Sequence, residues 1–206
     1  MSEPMRGLVP VELAAVLAIA CAPLPEALPV ALPLLIVATL SHWVRRRSWA
    51  DVAGGGPERL AIGAGVGVVA LALALLAGTP VVETLSNRAV EWSMFPNVRG
   101  NASQLAVVAL YVGISALAAE LALRGWIVER VMELSPGPAV LPVLVGALAE
   151  AALTAGGLEV RIGAGIFGAG LGWMYVAGGR SVLAPVCARV VFQVGAVVLE
   201  SLRLIG

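Results

Sequence analysis

The sequence predicts an all-α, polytopic transmembrane helical bundle, and three observations carry that prediction. Apolar residues fill 60% of the 206 positions and charged residues only 13%, against roughly 45–50% and 25% in soluble domains. Mean hydropathy is +0.96, so more apolar surface exists than a core of this size can hide, and most of it must face lipid. The apolar residues also fall in runs near the length of about 20 residues that a helix needs to cross a bilayer. Zero net charge argues against a nucleic-acid surface.

Taken in order, the first run spans Leu8 to Cys21 and stops at Pro23, Pro25 and Glu26. The second spans Ala27 to Val44 and ends in Arg45, Arg46 and Arg47. Prolines link the two runs directly, the pattern of a helical hairpin and not of a cleaved leader. A third run covers Leu60 to Leu76, with Gly63, Gly65 and Gly67 on its early turns. The polar segment from Gly78 to Asn101, with Trp92, Met94 and Phe95, has room for a short helix lying in the interface. The fourth span starts near Gln104, is apolar to Leu123, and continues as a polar helix through Arg130 and Glu133 to Pro136. The fifth covers Ala139 to Thr154 and ends at Gly156–Gly157; the sixth covers Ile162 to Ala177 and the seventh Val182 to Leu199. The expectation is therefore about seven spans in a single membrane domain over residues 1–206, with N-terminal spans and loop at 8–101 and a helical core at 102–206. No repeat of fixed period occurs, and no paired broken helices suggest an inverted-repeat transporter, although Pro25 and Pro33 interrupt the first hairpin.

The arginine bias of short loops sets orientation. Arg45, Arg46 and Arg47 are the densest cluster and mark the cytoplasmic side, together with Arg59, Arg124, Arg130 and Arg180; Arg88, Arg99, Arg161 and Arg203 fall outside. All 13 basic residues are arginine. With abundant Ala, Gly and Val, that composition is associated with GC-rich bacterial genomes and places the chain in a bacterial plasma (inner) membrane. Cys21 and Cys187 lie in apolar runs and read as small hydrophobes, not as a disulfide framework or metal site.

Ionisable residues inside spans are costly, and each is a functional candidate. Glu120 and Arg124 are four apart, share a helix face and can pair. Glu150 lies deep in the fifth span among Val145, Leu148 and Leu153, and Arg189 lies in the seventh, about a turn after Pro185. Two acids and two arginines balance, which fits a buried polar cluster.

Three stretches carry a resemblance. Ala119-Glu120-Leu121-Ala122-Leu123-Arg124-Gly125-Trp126 resembles the Glu-Glu-x-x-x-Arg-Gly motif of the CAAX prenyl endopeptidases, the CPBP or Abi membrane proteases. Gly168 to Tyr175 is similar to that family's small-residue helix ending in Gly-Trp-x-Tyr, and Ser181 to Ala188 to the segment leading into its His-x-x-x-Asn motif. Order and spacing agree over residues 104–200. The resemblance implies a CAAX-protease-like fold and a family activity of membrane endopeptidase. It also implies roles: in the family, the glutamate pair and first histidine activate water, and the last histidine and the asparagine stabilise the oxyanion.

The sequence departs from that pattern at most catalytic positions. Ala119 stands for the first glutamate. Phe-x-x-x-His reads Gly146-Ala147-Leu148-Ala149-Glu150, and His-x-x-x-Asn reads Arg189-Val190-Val191-Phe192-Gln193. The family-motif positions are thus Glu120, Arg124, Glu150, Arg189 and Gln193. Water attack on a peptide carbonyl needs a group that accepts and then donates a proton near neutral pH, as histidine does with a pKa of about 6.5. Glu150 would do so only by holding a proton, which a neighbouring arginine opposes. Arg189 retains the capacity to stabilise an oxyanion.

Other designs fare worse. His42 is the single histidine, beside Trp43 at a span end, and reads as an interfacial anchor. One histidine supplies neither a His-Glu-x-x-His zinc site nor a rhomboid-like dyad in a later span. Without lysine there is no lysine-bearing phosphate loop. Gly163, Gly165, Gly168, Gly170 and Gly172 are expected to pack closely on a neighbouring helix, with a peptide or lipid groove as the alternative. Trp126, Trp173 and Tyr175 are expected to be interfacial anchors.

The leading expectation is a catalytically degenerate CAAX-protease relative that needs no cofactor and no metal. It would bind membrane lipid and another membrane protein or a peptide segment, as a binding, assembly or regulatory subunit. The alternatives are an active endopeptidase with a rewired glutamate/arginine site, and a small transporter or channel subunit. The resemblance places both of the family's histidine positions on one cavity, so it implies that Glu150 and Arg189 face each other here in an ion pair, direct or through Glu120.

Overall fold

The computed structural model describes residue 7 and residues 9–21 and 31–205, except 91, 93, 94 and 136. Leu8, Pro23, Pro25, Glu26, Met94 and Pro136, and the side chain of Cys21, lie outside the described residues. Helices and turns make up the described chain, with no strand among them. Seven helical segments follow the predicted order: α1 (Val9–Cys21), α2 (Ala31–Val44), α3 (Pro57–Ser86), α4 (Ala102–Leu134), α5 (Val140–Leu153), α6 (Leu158–Ala177) and α7 (Leu183–Ser201). Four of them, α3, α4, α6 and α7, are long and apolar enough to cross a membrane by length and composition. The other three have 13, 14 and 14 residues, or about 20 Å each.

Local chemistry sets the ends. Pro57 opens α3 at a position where its missing N–H costs nothing, with Glu58 against the positive helix start. The Asn101 side chain accepts from the Gln104 N–H at 3.2 Å and caps α4. Gly156, at φ +120°, turns the chain between α5 and α6 in a conformation that side chains resist. Between α2 and α3, Ser48 and Asp51 form a reciprocal capping box.

The third span is longer than expected. The helix runs through Gly78 to Ser86 by a π turn at Ala74–Gly78, and the Thr79 hydroxyl donates to the Ala74 carbonyl at 3.0 Å. That turn absorbs the N–H missing at Pro80. Between Ser86 and Ala102 the described residues form only a short 3₁₀ turn, Pro96–Val98.

The bundle packs α3 along α7, α5 along α6, and α4 against α2, α5 and α7. Gly63 and Gly67 make the first contact possible, since a Cβ on either would lie 2.4 or 2.5 Å from the carbonyls of Ala184 and Ala188. Cys187, a free thiol, is half-buried in that crossing. Leu34, Ala38, Ala122, Leu123, Trp126 and Ile127 form the main core between α2 and α4. Only 17–33% of the residues in the apolar windows are buried, and Val69, Leu76, Leu110, Ile114, Leu148 and Ile166 point outward. A soluble monomer rarely exposes such continuous apolar surface, and a membrane protein does.

The expected glycine face divides in two. Gly165, Gly168 and Gly172 pack on α5, whereas a Cβ on Gly163 or Gly170 would meet nothing within 4 Å. Spacing of two or three residues around a helix spreads these five positions over both a packed and an outward side. Trp173 is 54% exposed, as an interfacial anchor would be, but Trp126 and Tyr175 are buried. Each has its polar group satisfied inside: Trp126 Nε1 donates to Ser41 Oγ at 3.0 Å and the Tyr175 hydroxyl to Glu129 Oε1 at 2.9 Å. His42 is likewise buried, stacked on Trp49 with ring centroids 4.1 Å apart, and its neighbour Trp43 takes the exposed position.

Arg47 and Arg180 line one cavity, so the loops after α2 and α6 share an end of the bundle. The Gly100 N–H donates to Ser201 O at 3.4 Å and Arg99 pairs with Glu200 at 3.9 Å at the other end. Arg124, expected at the arginine-rich end, is fully buried, and its neighbour Gly125 lines the cavity at that end.

Candidate functional site

Four helices converge on one buried cluster. Glu120 and Arg124 come from α4, Glu150 from α5, Gly168 from α6, and Arg189 with Gln193 from α7. A π turn over Leu123–Val128 interrupts α4 just after Glu120, and all six of its residues are buried. Such turns recur at functional sites because they shift the residues that follow around the helix.

The Arg124 guanidinium reaches three acceptors. Nη1 donates to Glu120 Oε1 at 3.1 Å, and Nη2 to Glu150 Oε2 at 2.5 Å and to the Gly168 carbonyl at 2.7 Å. Arg189 closes the ring, with Nε donating to Glu120 Oε1 and Nη2 to Glu150 Oε1. Each arginine therefore holds both carboxylates, and each carboxylate both arginines. Charge-assisted pairs of this kind are the strong hydrogen bonds of protein interiors. Two positive and two negative charges sum to zero, so the cluster can sit in a low-dielectric interior without a lone ion. The Phe167 ring centroid lies 5.6 Å from Arg189 Cζ and adds a cation–π contact.

The ion pair expected between α7 and α5 is thus present, direct and also through Glu120. Glu120 Oε2 and Arg124 Nε remain buried without a hydrogen-bond partner. A cavity of about 210 Å³ adjoins the ring, and Ser115, Ala119, Glu150, Thr154, Arg189 and Gln193 line it. The four positions of departure from the motifs, Ala119, Glu150, Arg189 and Gln193, therefore face a single space. Glu120 and Arg124 lie directly behind it.

Two features were not legible as parts of this site. Gly168 was grouped with the packing glycines, yet a Cβ there would fall 2.6 Å from Glu150 Oε2 and 3.2 Å from Arg124 Nη2. A second charged network also exists at the arginine-rich end. Arg45 joins Glu12 at 2.9 Å to Glu133 at 3.1 Å, Arg47 reaches Glu133 at 3.0 Å, and Arg130 reaches Glu133 at 2.5 Å. Glu12, an acid within the first apolar run, was its available signal.

The arrangement has plain chemical consequences. A guanidinium does not give up its proton in proteins, and both carboxylates are engaged by cations. Arg189 and Gln193 offer donors to a group entering the cavity, but no histidine stands within reach as a proton carrier.

Residues 99–195 match the family described as type II CAAX prenyl endopeptidase Rce1-like. That interval contains all five motif positions and the helices from α4 into α7. No curated protein and no solved structure matches the chain.

Proposed function

Starting from an Rce1-like domain at residues 99–195 of an apolar-helix membrane protein, we propose that the chain is a non-hydrolytic member of the fold. It serves as a binding, assembly or regulatory subunit for a membrane partner, either a membrane protein or a peptide segment, in a bacterial inner membrane. The observation that supports this reading is the closed ring of Glu120, Arg124, Glu150 and Arg189. In it both carboxylates accept from both guanidiniums, three of their four oxygens being engaged by cations. Ala119 also removes the carboxylate that the motif would aim into the cavity. What remains there is a recess with a guanidinium and an amide at its wall, suited to holding a carbonyl or carboxylate of a partner segment.

The second reading is an endopeptidase with a rewired carboxylate site, favoured by the unpartnered Glu120 Oε2 behind an accessible cavity. A peptidase assay separates them. The purified chain in detergent or liposomes is offered farnesylated CAAX peptides and unmodified peptides, beside Glu120→Ala. The proposal predicts no cleavage above that of Glu120→Ala. Turnover that Glu120→Ala abolishes overturns it and establishes the rewired site.

A further inference from the structure

The recess beside the ring, of about 210 Å³, lies on one side of it. Ser115 and Ala119 precede Glu120 on α4, Gln193 follows Arg189 by a turn on α7, Ala31 begins α2 and Thr154 closes α5. All four helices thus place these residues away from the arginine-rich end. Toward that end the way is shut by the π turn Leu123–Val128, whose six residues are buried. Trp49 adds to the seal, 3.2 Å from where a Cβ on Gly125 would stand.

Among the described residues no hydrogen bond engages the Ser115 hydroxyl, the Gln193 amide or Arg189 Nη1. These groups offer donors and, through Gln193 Oε1 and Ser115 Oγ, acceptors. They offer no spare charge. The Arg189 guanidinium already meets Glu120 and Glu150, and the ring sums to zero. Leu34, Leu123 and Leu153 complete the wall. An ion entering there finds no counter-charge and is costly in an apolar bundle, whereas an uncharged group with a donor and an acceptor finds partners for both. A carboxamide is such a group. A spanning helix keeps its backbone N–H and C=O paired within itself, so a side chain is what it can lend, and asparagine and glutamine bond across helices in membranes. The volume lies below the roughly 300–1,000 Å³ of pockets for drug-sized ligands, which suits one side chain and not a length of chain.

We propose that the recess receives an uncharged carboxamide, the side chain of an asparagine or glutamine on a partner's spanning helix, from the end of the bundle opposite the arginine cluster. The inference rests on the reading of this recess as a partner's seat and narrows the group held there to one without charge.

The test uses two alkylating reagents of nearly equal size that differ in charge, iodoacetamide and iodoacetate, on the purified chain with both cysteines replaced by alanine. Ser115→Cys places a thiol in the recess, while Ala155→Cys and Ala50→Cys, both exposed, mark the far end and the arginine-rich end. In detergent, the ratio of iodoacetamide to iodoacetate rates at Ser115→Cys is expected to exceed that at Ala155→Cys about tenfold. Gln193→Leu is expected to slow iodoacetamide there about fivefold. In sealed vesicles with glutathione inside, iodoacetamide added outside labels Ser115→Cys in the orientation that labels Ala155→Cys and spares Ala50→Cys. Equal ratios at the two sites, an unchanged rate in Gln193→Leu, no labelling of Ser115→Cys, or labelling from the Ala50 side overturns the proposal. Should Ser115→Cys fail to fold, Thr154→Cys on the same wall is read in its place. These outcomes are separate from the peptidase assay: turnover ends the non-hydrolytic reading whatever the ratio, and a failed ratio leaves that reading standing.

Discussion

The molecule holds two charged networks, and they are built on different rules. The ring of Glu120, Arg124, Glu150 and Arg189 has side-chain exposures of 0–9%, equal numbers of each sign, and every charge touching two opposite ones. The network of Glu12, Arg45, Arg130 and Glu133 also closes on itself, with Arg130 3.8 Å from Glu12, but it carries a third arginine against two acids, Arg47, at a 36%-exposed edge. Charges in the middle of an apolar bundle must close on themselves, because each would be costly alone: insertion scales give about 2.5–3.5 kcal/mol for a lone arginine at mid-membrane. Charges at a helix end can carry an unbalanced exposed arginine, because water and headgroups are at hand as further partners.

The comparison can be broken at its strongest point first. Glu120→Leu leaves two guanidiniums sharing one carboxylate, and removing one partner of a buried pair costs about 3–5 kcal/mol. Stability in mixed detergent–SDS micelles should fall by that order. A loss under about 1 kcal/mol would put the ring in the same class as exposed ion pairs. Gly168→Ala acts by space and not by charge, since the new methyl meets Glu150 Oε2 at 2.6 Å. A cost of about 1–3 kcal/mol, typical of overpacking, is expected, against no loss for Gly163→Ala, whose Cβ meets nothing. Arg47→Gln removes the exposed extra arginine of the second network and should cost at most about 1 kcal/mol, with Arg45 still holding Glu133. If Arg47→Gln costs as much as Glu120→Leu, the distinction between the balanced buried ring and the exposed edge of the second network fails.

Sequence carried the helices well because apolar runs and their stops are local signals. The order of the seven segments and the Glu120–Arg124 pair were readable from apolar runs and spacing, charge balance suggested a buried cluster, and the meeting of Glu150 with Arg189 followed from the resemblance. Less readable was anything depending on which way a side chain turns. Trp126 and Tyr175 sit near span ends, as membrane-surface anchors do, but their polar atoms find Ser41 and Glu129 inside the bundle. His42 and Trp43 are adjacent, yet only the helical phase decides that the histidine faces inward and the tryptophan outward. The π turn at Leu123–Val128 also leaves no mark in hydropathy. The extension of α3 past Gly78 was hidden by Pro80, which reads as a helix stop unless a π turn accommodates it.

The central claim is that the cavity of a protease fold is locked here by an ion ring that acts as structure. A double-mutant cycle at positions 150 and 189 tests it most directly, with stability measured for Glu150→Leu, Arg189→Met and the pair. The account predicts that each single variant is less stable than the double, with a coupling in the upper part of the range of about 0.5–3 kcal/mol seen for interacting neighbours. Harmless single variants, or effects that simply add, would contradict it.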